Sequence, residues 1–597
     1  MAKSYGESIL TEFQKKREAS KSDRHTFPTR QFSGNMTESK MRFLNSRPVK
    51  LFKSATRLIS HVSTRAYGLY PFSFGAVSLL LYFLNISADM SVLTPVLGAL
   101  VTLLSIPFLL SDKTLPHFLQ GFAVTDYVFF EFFCLKRANK METVKRIPLI
   151  ISLLLGTVTA LIGLFYPVWW ITVVMAAAIF VGITLSSPEF AFFASFLALP
   201  YMSAAPYSSY ILACVVMLTV FSFLRKSYFG KRVFYIDGYD LVIGAFMLCV
   251  LISGVFIKGL SSFAWALGMI FAGLGYTLAN NVITNRRLSD RAANTIVISS
   301  LPSAIIAITV FARELALGRG GELIDVGVFY GFSTGEAAAV FMIVASVFAV
   351  AMMKQSHGAK KAFYSVVFVV EAIALILTGE VFAVLALIIG IVSYYLIRLR
   401  RGSVLISIVL SILPYAFLLL PDSFLDTLFS VIPSLRGAEE LFSLWGESLS
   451  AFAGNLVFGI GIGADSFREE MSALGISRND SSNLFIEIGL EAGIVALFFF
   501  VLLLVVRLCH RSVYRSYVRI SEVSTFAPLC TSCVLSLIAY GAFSYIFADL
   551  FAGYLFWCVF GIGSAALRVA KKETDDRNQY YEDTRASDSS AIDVEIR

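Results

Sequence analysis

"RNDSSNLFIEIGLEAGIVALFFFVLLLVV", residues 478–506, passes from a hydrated tract straight into an apolar run, Ile494 to Val506. Asn483, Glu487 and Glu491 enter that run at steps of four, so a helix would carry them near one face. Ionisable groups at the mouth of a membrane helix lose hydration, and where they persist they usually have a task. The stretch therefore sets the fold class, a helical membrane protein, and marks one edge of it as a candidate for chemistry.

The rest of the chain agrees. It has 597 residues, of which 57% are hydrophobic and 15% charged, and its mean hydropathy is +0.75. Charge-poor stretches long enough to cross a bilayer core, roughly 17–22 residues, recur along it. The alternation of a β-barrel is absent from the pattern. The reading is an all-α polytopic membrane protein with about 14–16 transmembrane helices.

Residues 1–66 carry 14 Lys and Arg against five Asp and Glu, a net +9, so the remainder of the chain is −1 and the whole +8. A basic segment of that kind reads as cytoplasmic, close to anionic headgroups. It has no apolar core before Pro48, so a cleaved signal peptide is not expected. Its last third, "VKLFKSATRLISHVSTRAYGLY", has the composition of an amphipathic surface helix, and a solvated tail is the alternative for residues 1–45. Later basic clusters, among them "RKSYFGKR" (225–232), "RLRRG" (398–402) and "RVAKK" (568–572), can all be cytoplasmic with both termini inside.

The organisation expected is a tail at 1–66, membrane helices with an interfacial piece at 67–146, and a central bundle at 147–420. A long outer loop at 421–486, C-terminal helices at 487–570 and a cytoplasmic tail at 571–597 complete it. The outer loop contains "LDTLFSVIPSL", "AEELFSLWGESLSAFAGNLVF" and "FREEMSALG", whose apolar spacing is helical. "CTSC" (530–533) lies in an apolar helix, so its cysteines read as small packing residues rather than metal ligands.

By this topology the outer cations are Lys258, Arg313, Arg319, Arg436, Arg468 and Arg478. Five are arginines, whose planar fork suits phosphate, and an arginine set beside an apolar bundle suits a ligand with an anionic head and a greasy tail. The plain structural alternative pairs Arg313 with Glu314 or Glu322 and Arg468 with Glu469. All five histidines fall on the inner side, so proton transfer outside would rest on Glu380, Glu440, Asp465, Asp480, Glu487 or Glu491. No outer cluster has metal-ligand spacing, and no cofactor is expected. "FGIGIGADSF" (458–467) places Gly459, Gly461 and Gly463 at alternate positions, for a tight turn or a close approach to ligand. Asn483 is either a helix cap or a ligand contact.

"SLRGAEELFSLWGESLSAFAGNLVFGIGIGADSF" followed by "SSNLFIEIGLEAGIVALFFFVLLL" resembles the C-terminal signature of the O-antigen ligase and O-antigen polymerase superfamily. The resemblance covers roughly 375–507 and extends upstream through "LILTGEVFAVLALIIGIVSYYLIRLRR". It implies a GT-C-like bundle in the bacterial cytoplasmic membrane. It also implies a metal-independent glycosyltransferase that takes glycan from undecaprenyl diphosphate on the outer face. The acceptor would be a glycan or glycolipid, the other partners the bilayer and further polysaccharide-assembly proteins, and no nucleic acid is involved. The family commonly has His immediately before the Asn; here Ser482 stands there, with Asp480 two residues earlier. Its upstream Ser-Arg-Gly is replaced by Glu380, Val381 and Phe382.

The expected catalytic set is Arg436, Asp480 and Glu487, with Arg313, Arg319, Arg468, Arg478, Gly461 and Asn483 binding substrate. Two further readings compete: a polysaccharide or lipid transporter, and a family member that binds lipid-linked glycan without catalysis.

Overall fold

A computed structural model describes residues 30–32, 62–84, 93–133, 137, 149–162, 168–205, 207–229, 232–257, 259–318, 327–399, 403–415, 437–472, 478–518 and 526–595. Nine of the described helices are long and apolar enough to cross a membrane, and five shorter apolar helices accompany them. The chain is an all-α polytopic membrane protein. Arg436, Arg319, Lys258 and the "LDTLFSVIPSL" stretch lie outside the described residues.

The chain divides into two compact units, one of Met1–Phe32, Phe192–Met217 and Val233–Arg597, the other of Ser33–Ala191 and Leu218–Arg232. In the second unit, helix Thr64–Phe83 packs on Leu93–Leu109 and Leu149–Ile162. The segment expected to be interfacial is broken into Leu115–Gln120, Ala123–Thr125 and a π-helix at Asp126–Phe132, each too short to span. Arg137 ties its two acids together, 2.9 Å from both Asp126 and Glu131.

In the first unit, spans Gly335–Gln355 and Leu550–Glu573 are 89% and 94% buried, against 56% or less for the other long spans of this unit, so these two form its centre. Composition explains why. Gly335–Gln355 is rich in alanine, and small residues let helix backbones approach where no hydrophobic drive separates lipid from side chain. Helix Leu550–Glu595 packs along Gly259–Val282 and Phe526–Tyr540, which carries Cys530 and Cys533 buried and unbonded to each other. One element was not expected. Arg30–Phe32 forms a strand antiparallel to Phe234–Ile236. The Asn281 side chain satisfies the N–H and C=O of Tyr235, at 2.7 and 3.1 Å, and so stands in for a neighbouring strand.

The long segment expected at 421–486 holds two described helices, Gly437–Gly454 and Ala464–Ser472. Between them runs the alternating-glycine turn, with Gly459, Gly461 and Gly463 at φ of 73°, 101° and 99°. The turn is fastened to helix Leu484–Val518 where Gly493, at φ 82° and ψ 174°, interrupts it. The interruption releases carbonyls that a continuous helix would use. Leu490 O accepts from Ile460 N at 2.8 Å, Glu491 O from Gly461 N at 3.2 Å, and Ile494 N donates outward to Leu456 O at 2.8 Å. Ser253 Oγ adds a bond to Glu491 O at 2.6 Å. These three backbone groups freed by the break are thereby paired again, as a low-dielectric setting demands.

A Cβ on Gly493 would sit 2.1 Å from Val457 O, a backbone atom that cannot step aside. Gly493→Ala should therefore cost about 2 kcal/mol or more and lower the thermal unfolding midpoint in detergent on the order of 5 °C. Gly446→Ala, where a Cβ meets nothing within 4 Å, should leave the midpoint unchanged or raise it. Equal midpoints for the two variants would contradict this account.

Candidate functional site

The loop Arg478–Asn483 is a set of local bonds closed by the helix that follows. Asn483 caps that helix: its Oδ1 accepts from Phe485 N at 3.1 Å and Ile486 N at 3.2 Å. Its Nδ2 donates to Ala542 O at 3.0 Å. Leu484 N reaches Gly541 O at 2.7 Å. Two helix-start donors are thus satisfied by one side chain, and a third by a neighbouring turn. Ser482 takes φ 52°, with its N–H donating to Asp480 Oδ1 at 2.8 Å, a turn in which a short acidic side chain mimics backbone.

Glu487, fully buried one turn into the helix, points back at this loop. Its Oε2 accepts from Ser481 N at 2.7 Å. Trp445 Nε1, from helix Gly437–Gly454, donates to Ser481 O at 2.9 Å. Ser481 is thus gripped at both its N–H and its C=O. Glu491, a further turn along, accepts from Gly463 N at 2.7 Å and from the Tyr545 hydroxyl at 2.5 Å. Burial pushes the Tyr545 phenol well above its ordinary value, helped by the Glu491 and Glu487 charges. It therefore remains a donor.

These elements close around a cavity of about 620 Å³, within the ~300–1,000 Å³ range of small-ligand pockets. Arg478, Asp480 and Glu491 line it from the quoted stretch; Glu336, Glu380 and Asp549 come from elsewhere in the same unit. Glu336 sits in the first turn of helix Gly335–Gln355, behind its Thr334 cap. Arg478, Asp480 and Glu380 all lie within electrostatic reach of it. Asp549 caps helix Leu550–Glu595 through Phe551 N at 2.8 Å and Ala552 N at 3.0 Å. Its other oxygen takes the hydroxyls of Ser203 at 2.9 Å and Ser333 at 2.5 Å.

Burial holds the Asp480 carboxyl above the usual aspartate range, against the opposing pull of the Ser482 bonds and Arg478. Burial likewise raises Glu380. A carboxylate lifted in this way is a better proton acceptor near neutral pH than an ordinary one.

The structure places the expected residues as follows. Asp480 and Arg478 share the cavity wall. Asn483 is 1% exposed, its side chain is engaged in capping, and it does not line the cavity. Glu487 does not line the cavity and acts on it through Ser481. Gly461 also lies off the lining, its N–H held by Glu491 O. Arg468 bonds Asn479 at 2.7 Å and pairs with Asp465 at 3.6 Å, so its partner is Asp465, and it stays outside the cavity. Arg313, in the last turn of helix Arg286–Ala316, does not line it either. Glu336 and Tyr545 were not foreseen. A single acid in a helix's first turn reads as complementing the helix dipole, and that was its only signal.

Residues 365–501 match the family described as O-antigen ligase. The match includes Glu380, Trp445, the glycine turn, Arg478, Asp480 and the first turns of the Glu487 helix. No curated protein matches the chain.

If Glu487 positions the loop, Glu487→Ala should free Ser481 and speed tryptic cleavage after Arg478 about tenfold, the effect of losing one charge-assisted bond. Glu487→Gln keeps an acceptor for Ser481 N–H and should cleave like the parent protein. Unchanged cleavage in the Ala variant would show that the loop does not depend on Glu487.

Proposed function

We propose that this chain, whose residues 365–501 carry an O-antigen ligase domain, is a membrane glycosyltransferase. It takes glycan from undecaprenyl diphosphate on the outer face of the bacterial cytoplasmic membrane, with both termini inside. It passes that glycan to a glycan or glycolipid acceptor, in a GT-C-like bundle. The observation that supports this reading is the placement of a cation and a raised carboxyl, Arg478 and Asp480, two residues apart on one cavity wall inside the matched stretch.

The chemistry divides between them. Arg478, with Arg436 and Arg319 beyond the described residues, neutralises the diphosphate, so that it leaves with the electron pair of its bond to the anomeric carbon. Asp480 accepts the proton of the acceptor hydroxyl as the new C–O bond forms. Asp480 takes the part that the usual His plays in the family. Ser482, which replaces that His, holds the carboxyl by its N–H and hydroxyl, at 2.8 and 3.3 Å.

The pH dependence follows with a definite sign. The folded protein favours protonated Asp480, so ionising it costs stability as pH rises through its raised value. Activity needs the ionised form, so the rate should climb with pH through a point above ~3.9, the ordinary aspartate value. Asp480→Asn should lower turnover about 10²–10⁴-fold and remove that acidic limb. The assay is chain transfer by the purified protein with lipid-linked glycan from its own host. Full activity in the Asn variant would remove Asp480 from the chemistry. Glycan binding without transfer under any condition would instead identify a non-catalytic member of the family.

A further inference from the structure

We propose that the cavity receives the acceptor end of the glycan and selects a sugar without negative charge there, with Glu336 and Glu380 as the discriminating residues. This rests on the transferase reading and goes beyond it, since family membership says nothing about acceptor charge.

The lining carries the argument. Among the described residues, five carboxylates face this cavity and one cation, Arg478. Two of the five are already spent: Glu491 on Gly463 N and the Tyr545 hydroxyl, and Asp549 on its helix cap and two serines. Asp480 gives one oxygen to Ser482; its other oxygen, with Glu336 and Glu380, is left to meet what enters. They come from three separate elements: the loop before the Glu487 span, the first turn of Gly335–Gln355, and the turn before Val381–Leu399. The Ser544 hydroxyl, 1% exposed, lies beside Glu336 and makes no hydrogen bond of ordinary geometry among the described residues. A buried polar group on a cavity wall without a partner is costly unless a ligand completes it.

A diphosphate does not belong in such a chamber, because the acids that would surround it are the groups its charge must avoid. Sugar hydroxyls do belong there. They are donors, and carboxyl oxygens are strong acceptors for them. Trp265 and Phe547 supply apolar wall for the C–H faces of a sugar ring. The charges thus sort the two substrates: diphosphate toward Arg478, acceptor hydroxyls toward Glu336 and Glu380. A uronic acid at the acceptor end would set a fourth carboxylate among three, whereas a neutral or amino sugar would not. Like-charge juxtaposition is a standard way to reject a wrong partner.

The test is binding, read separately from transfer. Full-length protein in nanodiscs is titrated by saturation-transfer NMR with two matched sets: glucose, glucosamine and glucuronate; galactose, galactosamine and galacturonate. In whichever set binds, the neutral and amino sugars should bind at least about tenfold more tightly than the uronate. Glu336→Gln with Glu380→Gln should narrow that gap to about threefold or less by removing the repulsion. A uronate that binds as well as its neutral partner, absence of binding in both sets, or a gap untouched by the double substitution would each overturn the proposal. The comparison within the parent protein needs no variant to fold. Discrimination without transfer would sink the transferase reading and leave a saccharide site. Transfer without discrimination would sink this inference alone.

Discussion

The site depends on one exchange of backbone hydrogen bonds. Gly493 interrupts a membrane helix, and the carbonyls of Leu490 and Glu491 pass from that helix to the N–H groups of Ile460 and Gly461. In water such a break would cost little, because solvent would take the loose groups. At a membrane edge each must find a protein partner, so the break and the glycine turn require each other. The exchange docks the glycine turn on helix Leu484–Val518. With Glu491 held by Gly463 and Tyr545, and Glu487 by Ser481, it also fixes where Asp480 stands.

The same geometry explains why a chain with so many acids near one helix mouth can fold. The acids do not all do the same work. Asp549 caps a helix, Glu491 fastens a turn, and Glu487 holds a loop from behind. Asp549 and Glu491 are compensated at both oxygens by N–H or O–H donors, and Glu487 at one, rather than by a counter-charge, which suits a segment poor in lysine and arginine. Asp480, Glu336 and Glu380 are left facing the cavity, and Arg478 stands with them. A transferase that must bind an anionic leaving group and a hydroxyl-rich acceptor needs both kinds of surface close together.

Much of this could be read before the fold was known, and the limits have physical causes. The apolar run after Ile494 states its own environment. Asn483 before an apolar helix has the spacing of a cap, and it is one. The alternating glycines announce a turn, yet nothing local says that the turn docks on Gly493, because those bonds join segments thirty or more residues apart through backbone atoms alone. Glu487 shows the limit of spacing arguments: steps of four put it on the same face as Asn483, but the capped chain turns back over the helix, so the carboxylate meets Ser481 and not the cavity. Glu336 was invisible because its partners, Asp480 and Glu380, are remote in sequence. The arginine expectations fared unevenly. Arg478 lines the cavity, Arg313 and Arg468 do not, and Arg436 and Arg319 lie outside the described residues.

The central claim is that this cavity, built on the broken helix, is where lipid-linked glycan reacts. The most direct measurement is a cryo-electron microscopy structure of the Asp480→Asn protein in nanodiscs with lipid-linked glycan from its own host. The account predicts diphosphate density at Arg478, the first sugar's anomeric carbon facing residue 480, and the lipid tail running down the outside of the bundle. Diphosphate density deep among Glu336 and Glu380, or ligand bound at another surface with this cavity unchanged, would contradict it.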